Sequence, residues 1–355
     1  MATDPLSVDT PTSAHAAISE PTSRRFSSAQ QTNPKSDNHS LDHSHPSPNQ
    51  EDMKKEILNE FKGATFLVDL TADGAPFHAD SHSVEAVLAH LRDQCGVTDT
   101  TLLSDEPSSK DSPRFPPGGF RREGDSYTPL RDFLNAIVDS TKNNTLPPTS
   151  RYLEGLDFED YGREMKDIYN SPRPLKPDAL GVLPPPTTPQ PKVFWKAVAI
   201  IIEVKNQVIE LIQQLSTYAR CYLAADRRRS FAPAIGFHHK RLELLFFAFH
   251  RSGMSSSGPI SLRTLEGFQT VVKYMVGILS IPDERAFGLD MTRLRDVFRI
   301  NGRDYDIVRL IRLHNGVRGR ATVVYSLKCT QFPILIYTLD LRVMRACSMH
   351  HTGQG

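Results

Sequence analysis

A proline-aspartate pair, Pro177-Asp178, stands 25 residues ahead of the triplet Glu203-Val204-Lys205. These are residue types that metal-dependent hydrolysis of a phosphodiester uses. A divalent ion polarises the phosphoryl oxygen and supplies hydroxide at neutral pH, and Mg²⁺ is held by a few carboxylates together with water. Asp178 and Glu203 are the candidate metal ligands, for Mg²⁺ or Mn²⁺, and Lys205 could orient the attacking water or neutralise developing charge. The same residue types also suit an ordinary strand whose charged end is solvated, so the elements that carry them have to decide.

Glu203 and Lys205 close the run "VAIIIEVK", whose continuous Val/Ile stretch predicts a strand buried on both faces. Residues two apart in a strand share a face, which puts Glu203 and Lys205 together and Val204 opposite. Asp178 opens "DALGVL", a short strand in a segment from Pro172 to Pro191 that holds eight prolines. After the Glu-x-Lys strand, Val208, Leu211, Ile212, Leu215, Tyr218, Ala219 and Tyr222 fall on one helical face. "FAPAIGFHHKRLELLFFAFHRSG" predicts two strands around a turn at His238 to Lys240, and "SLRTLEGFQTVVKYMVGILS" a buried helix that Pro282 ends.

Upstream, "EDMKKEILNEFKGATF", "SVEAVLAHLRDQC" and "YTPLRDFLNAIVDSTK" read as amphipathic helices, the latter two opened by Ser or Thr N-caps. "SDEPSSKDSPRFPPGGFRREGDS" between them reads as loop or disorder. "YLEGLDFEDYGREMKDIYN" is expected to be helical in its second half.

Of 355 residues, 39% are hydrophobic and 26 are proline, which suggests that part of the chain never packs. That part is the first 51 residues, whose large apolar side chains are too few to offset backbone entropy. Their His39, His43 and His45 could read as a metal tract, but a polar tail that contains histidine explains them as well. The formal charge of +1 excludes a whole-chain field directed at nucleic acid or anionic lipid. Cys95, Cys221, Cys329 and Cys347 are widely spaced and fit a reducing compartment. The amino terminus lacks the apolar core of a secretory signal and no run of about 18 apolar residues exists to span a bilayer, so cytoplasm or nucleus is expected and a membrane is not.

Pro177-Asp178 and Glu203-Val204-Lys205, in that order and followed by a helix, resemble the signature of the PD-(D/E)XK nuclease-like fold. That resemblance implies a mixed-sheet α/β domain and, in active members, metal-dependent cleavage by Asp178, Glu203 and Lys205. The same scaffold also persists as a binding module.

A second resemblance covers about residues 52–328. "WKAVAIIIEVK", "QQLSTYARCYLAADRRRSFAPAIGF", "LELLFFAFHRSGMSSSGPISL" and "SIPDERAFGLDMT" are similar to the fungal-specific protein kinase family of FunK type, in which a domain of this order precedes a divergent kinase domain. The chain departs from it at His250-Arg251-Ser252-Gly253, where the family tends to have Asp-Arg-x-Gly. "GVRGRATVVYSLK" resembles the family's glycine-rich strand-turn-strand over ATP phosphates, with Gly319, Ala321 and Val324 at the Gly-x-Gly-x-x-Val positions. At Ala321 a Cβ restricts backbone approach to phosphate, so the loop reads as vestigial. Complete members imply Ser/Thr kinase activity with ATP and Mg²⁺. Here no lysine follows Lys328, and neither His-Arg-Asp nor Asp-Phe-Gly occurs.

The expected architecture is α+β: a disordered tail over 1–51, a helical region with a disordered loop over 52–164, and a PD-(D/E)XK-like mixed-sheet domain over 165–292. A kinase N-lobe stub over 293–328 and a divergent tail over 329–355 follow. The expected function is that of a family fragment without the catalytic lobe, a regulatory or binding module with protein partners; the alternative is a metal-dependent nuclease. Arg227, Arg228 and Arg229 after the helix, and Lys240 and Arg241 at the hairpin turn, could contact nucleic-acid phosphates, or simply complement a helix end and solvate a turn.

Overall fold

The computed structural model describes residues 58–109, 113–144, 152–165, 175–183, 195–226 and 228–290, the strand residues 293–294, 297–300, 303–313, 323–329 and 336–341, and Lys55. The expected tail over 1–51 and the residues after 341 lie outside them.

The fold is α+β. Its centre is a mixed sheet in the order β1-β7-β6-β5-β4-β3-β2, with β8 also paired to β6. The strands are β1 (Thr65–Leu67), β2 (Asp157–Asp160), β3 (Ala179–Val182), β4 (Val198–Lys205), β5 (Phe231–His238), β6 (Glu243–His250), β7 (Gly253–Ser256) and β8 (Ile260–Ser261). β2, β3 and β4 form an antiparallel run, whereas β4 and β5 are parallel. A parallel neighbour needs a crossover, and the helix α4 (Val208–Ala225) supplies it.

Helices cover both faces, which is why β4 reads as a continuous apolar run rather than an alternating one. Ile200, Ile202 and Val204 of β4, Ile235 and Phe237 of β5, and Leu244 and Phe246 of β6 join one buried cluster. In it they meet Val87 and Leu91 of α1 (Ser81–Gln94), Phe133 and Ile137 of α3 (Tyr127–Asn144), and Phe268 and Val271 of α5 (Leu265–Leu279). Ile201, Ala234, Leu245 and Phe247 face the other way, against Leu211, Leu215 and Tyr218 of α4. The register β5–β6, in which Ala234 opposes Phe247 and Ile235 opposes Phe246, keeps those two faces separate.

Several expectations need correction. The N-cap of α1 is Asp80, whose side chain accepts the Ser83 N–H, not a Ser or Thr. α3 is entered through a 3₁₀ turn (Gly124–Ser126) rather than from a single capping hydroxyl. The second half of the expected helix in "YLEGLDFEDYGREMKDIYN" is irregular over 161–165, where Met165 bridges to Leu175, and its first half contains β2; residues 166–170 lie outside the described set. The segment expected to be loop or disorder is irregular over its described residues up to that 3₁₀ turn, apart from a bridge of Phe115 to Leu103, but Phe115 and Phe120 are buried against Phe237. The short helix α2 (Asp99–Leu102) precedes it.

A second, five-stranded antiparallel sheet has the order β13-β12-β11-β10-β9, from β9 (Arg293–Leu294), β10 (Val297–Ile300), β11 (Arg303–Leu313), β12 (Val323–Cys329) and β13 (Ile336–Leu341). β11 and β12 flank the glycine-rich segment and pair antiparallel, with Val324 opposite Arg312. Gly319 and Ala321 fall outside the described residues.

Candidate functional site: a lysine among three carboxylates

The carboxyl end of β4 brings Asp178, Glu203 and Lys205 together. In the β3–β4 register Ala179 opposes Ile202, so Pro177 would oppose Val204. The Pro177 carbonyl instead accepts the Gly162 N–H, and the β3–β4 ladder stops. Asp178 Oδ2 takes the Val204 N–H at 2.9 Å in place of a strand partner. Its Oδ1 accepts from the Tyr127 hydroxyl at 2.7 Å, and Tyr127 Oη also lies 3.0 Å from Glu123 Oε1.

Lys205 Nζ is the hub. It donates to Glu123 Oε1 at 2.8 Å, to Asp178 Oδ2 at 3.3 Å and to the Val204 carbonyl at 2.7 Å. It also lies 2.7 Å from Glu203 Oε1. That last approach is an ion-pair contact, and Glu203 Oε2 has no hydrogen-bond partner among the described residues. Glu203 is fully buried, whereas the Glu123 side chain is 35% exposed.

The electrostatics follow from this packing. Burial pushes the Glu203 carboxyl well above the ordinary glutamate range, the Asp178 charge adds to the shift, and Lys205 opposes it. Burial also raises Asp178, against Lys205 and the Val204 and Tyr127 hydrogen bonds. For Lys205, burial favours the neutral amine, but Glu203 and Asp178 outweigh it and hold the ammonium charged. Burial, followed by the bond to Asp178, raises the Tyr127 phenol and keeps it a donor.

The donor set does not fit a resident divalent cation in this arrangement. Glu123, Asp178 and Glu203 gather around the Lys205 ammonium, but among the described residues no group of three or more His, Cys, Asp or Glu side chains is placed to hold a metal ion. Both Asp178 oxygens are already engaged, and the Lys205 ammonium contacts both Asp178 and Glu203.

Glu123 is a site residue that sequence reasoning missed. It sits in the irregular segment ahead of α3, which has no periodicity to mark it. The usable signal was Phe115 and Phe120, aromatic side chains whose burial requires that segment to dock. Phe120 donates its N–H to the His239 carbonyl at 3.0 Å and its carbonyl contacts His239 Nδ1 at 3.1 Å.

The arginines after α4 have other roles. Arg228 pairs with Asp226 at 2.6 Å. Arg229 is buried and donates to the carbonyls of Trp195, Tyr222, Lys196 and Val198 at 2.8–3.1 Å, with its guanidinium 3.7 Å from the Tyr222 ring centroid. Arg229 is thus enclosed by backbone, Arg228 is paired with a carboxylate, and Arg227 lies outside the described residues. Lys240 and Arg241, at the turn, are exposed.

Residues 186–336 match the family model described as fungal protein kinase, so this stretch carries a domain of that family. The match takes in β4, α4, the hairpin β5–β6, α5 and the first strands of the second sheet. No curated protein and no solved structure matches the chain. Among the described residues no helix is long and apolar enough to cross a membrane.

Proposed function

We propose that the α/β body is a non-catalytic binding and regulatory module of a fungal-type protein kinase, with protein partners, in the cytoplasm or nucleus. The observation that carries this reading is Lys205, whose ammonium is enclosed by Glu123, Asp178, Glu203 and the Val204 carbonyl. A lysine so held neutralises the carboxylates around it and is a poor candidate to meet a substrate phosphate. In complete relatives ATP and Mg²⁺ serve phosphotransfer. These 355 residues supply neither His-Arg-Asp nor Asp-Phe-Gly, and Ala321 replaces a glycine of the vestigial loop Gly319, Ala321, Val324.

A second reading, a metal-dependent nuclease, is favoured by one arrangement. α3, β2, β3, β4, α4 and β5 follow one another, with Asp178 just before β3, Glu203-x-Lys205 at the end of β4, and Glu203 Oε2 free of hydrogen bonds among the described residues. It requires Lys205 to leave its contacts with Asp178 and Glu203 so that Mg²⁺ or Mn²⁺ can take its place.

Incubating the whole chain with labelled DNA or RNA in Mn²⁺, and with labelled ATP and a generic protein substrate, separates the readings. Neither cleavage nor phosphate transfer is expected. Cleavage lost in Asp178→Asn, Glu203→Gln and Lys205→Ala would establish the nuclease, and phosphate transfer abolished by Gly319→Asp would restore kinase activity.

A further inference from the structure

The end of the sheet that holds Lys205 also carries a concentration of unpaired positive charge. In the β4–β5 register Lys205 pairs with His238, and the turn that follows carries Lys240 and Arg241, both exposed. The segment 119–122 is stitched to that turn. The Phe120 N–H bonds the His239 carbonyl, and Gly119, at φ +82°, passes so close to Lys240 that a Cβ would lie 2.2 Å from its carbonyl oxygen. Arg121 and Arg122 follow immediately and are exposed.

Arg263, also exposed, clamps the assembly. It donates to the Arg241 carbonyl at 3.1 Å, to the Lys240 carbonyl at 3.4 Å and to the Pro117 carbonyl. Thr264 then caps α5, placing the positive end of that helix beside it. Among the described residues none of Arg121, Arg122, Lys240, Arg241 and Arg263 forms an ion pair with a carboxylate. Like charges gathered at one place repel one another, so three chain segments held together by the Phe120–His239 backbone bond and the Arg263 side chain make a surface that an anionic partner stabilises.

We infer that this basic rim, formed by Arg121, Arg122, Lys240, Arg241 and Arg263 at the carboxyl end of β4 and β5, docks a short acidic segment of a protein partner. The inference rests on the binding-module reading and names the chemistry of the partner. Two features select a peptide over a nucleic acid. Acidic residues interrupt the positive stretches, Asp125 after Arg122 and Glu243 after Arg241, and Glu266 sits in the first turn of α5. A regular polyphosphate backbone would meet them, whereas an acidic segment can place its carboxylates between them. Leu265, the first residue of α5 and next but one to Arg263, is 54% exposed, an apolar contact suited to an aliphatic side chain of a peptide.

The test is fluorescence anisotropy of the whole chain with a labelled Glu-rich peptide containing leucine, a peptide of the same composition with Gln for Glu, and a labelled oligonucleotide. Saturable binding of the acidic peptide is expected, weakened by salt and by about tenfold or more in the charge reversal Lys240→Glu with Arg241→Glu. Arg121→Glu with Arg122→Glu should weaken it comparably. These exposed positions leave the core intact, so an unchanged melting temperature accompanies the loss. Failure of the acidic peptide to bind, or binding that both charge reversals leave unchanged, overturns the surface. Tighter binding of the oligonucleotide overturns the peptide assignment. Failure of the module reading would register separately, as cleavage or phosphate transfer.

Discussion

The two ends of β4 solve the problem of a buried cation in opposite ways. At the amino end, Arg229 gives its guanidinium to four backbone carbonyls and lays it on the Tyr222 ring, with no carboxylate as a partner in these bonds. At the carboxyl end, Lys205 faces three carboxylates, and the most buried of them, Glu203, has no hydrogen bond to Oε2 among the described residues. Backbone carbonyls are neutral, fixed and unaffected by pH, so the Arg229 end acts as a staple joining α4 to the start of β4. Titratable partners make the Lys205 end pH-dependent and leave it under electrostatic tension.

Removing each cation breaks the comparison most severely. Arg229→Met leaves four carbonyls without their donor and is expected to cost on the order of 4 kcal/mol, read as the loss in denaturant unfolding free energy. Arg229→Lys should recover part of it, because an ammonium offers fewer donors than the guanidinium fork. A loss below about 1 kcal/mol for Arg229→Met would show that α4 is held by apolar packing alone.

Lys205→Met is expected to cost less, about 2 kcal/mol at neutral pH, below the figure for a fully buried pair. Glu123 is partly exposed to water and burial pushes the Glu203 carboxyl well above its ordinary range, so the charge left uncompensated falls most heavily on Asp178. Thermal melts at low and neutral pH give the check. The cost should shrink in acid, where Asp178 takes up a proton.

Glu203→Gln should move stability the other way. A carboxyl raised in the folded state stays protonated there while it ionises in the unfolded chain, so stability falls as pH climbs from the ordinary glutamate value of 4.5 toward the raised one. The substitution removes that slope and is expected to raise the melting temperature at neutral pH by about 2–4 °C, for roughly 1 kcal/mol. Lys205 contributes with the same sign in a more alkaline window: its stabilisation is present below the ordinary lysine value and is lost as pH rises from there through its raised one. A parent melting temperature flat from acid to neutral pH would contradict the assignment of Glu203.

Much of this was legible in the sequence, for reasons tied to particular residues. Ile200, Ile201 and Ile202 in one uninterrupted run predict a strand covered on both faces, and it is. Pro177-Asp178 and Glu203-x-Lys205 do meet, because strand period and the short β3 leave little freedom in where they go. The rest depends on contacts distant in sequence. Glu123 reaches Lys205 across 82 residues through a segment with no period. Arg229 looks like a solvated helix end until β4 presents its carbonyls. β2 hides in "DFED", whose acidic residues suit an edge strand and resemble a loop, with only Phe158 fully buried. The glycine-rich segment is bounded by the paired strands β11 and β12, but pairing alone does not distinguish a nucleotide loop from an ordinary hairpin.

The central claim is that Lys205 already serves as the cation between Asp178 and Glu203, with the buried Glu203 carboxyl raised well above its ordinary range beside it. Carboxyl-carbon NMR of protein labelled at glutamate, titrated with Mg²⁺ at neutral pH and compared with Glu203→Gln, reads this directly. One resonance at the protonated position, absent in the variant and unmoved by Mg²⁺, is expected. A Glu203 resonance that is ionised at neutral pH, or that moves to the carboxylate position as Mg²⁺ is added, would contradict the closed network and favour the metal-dependent reading.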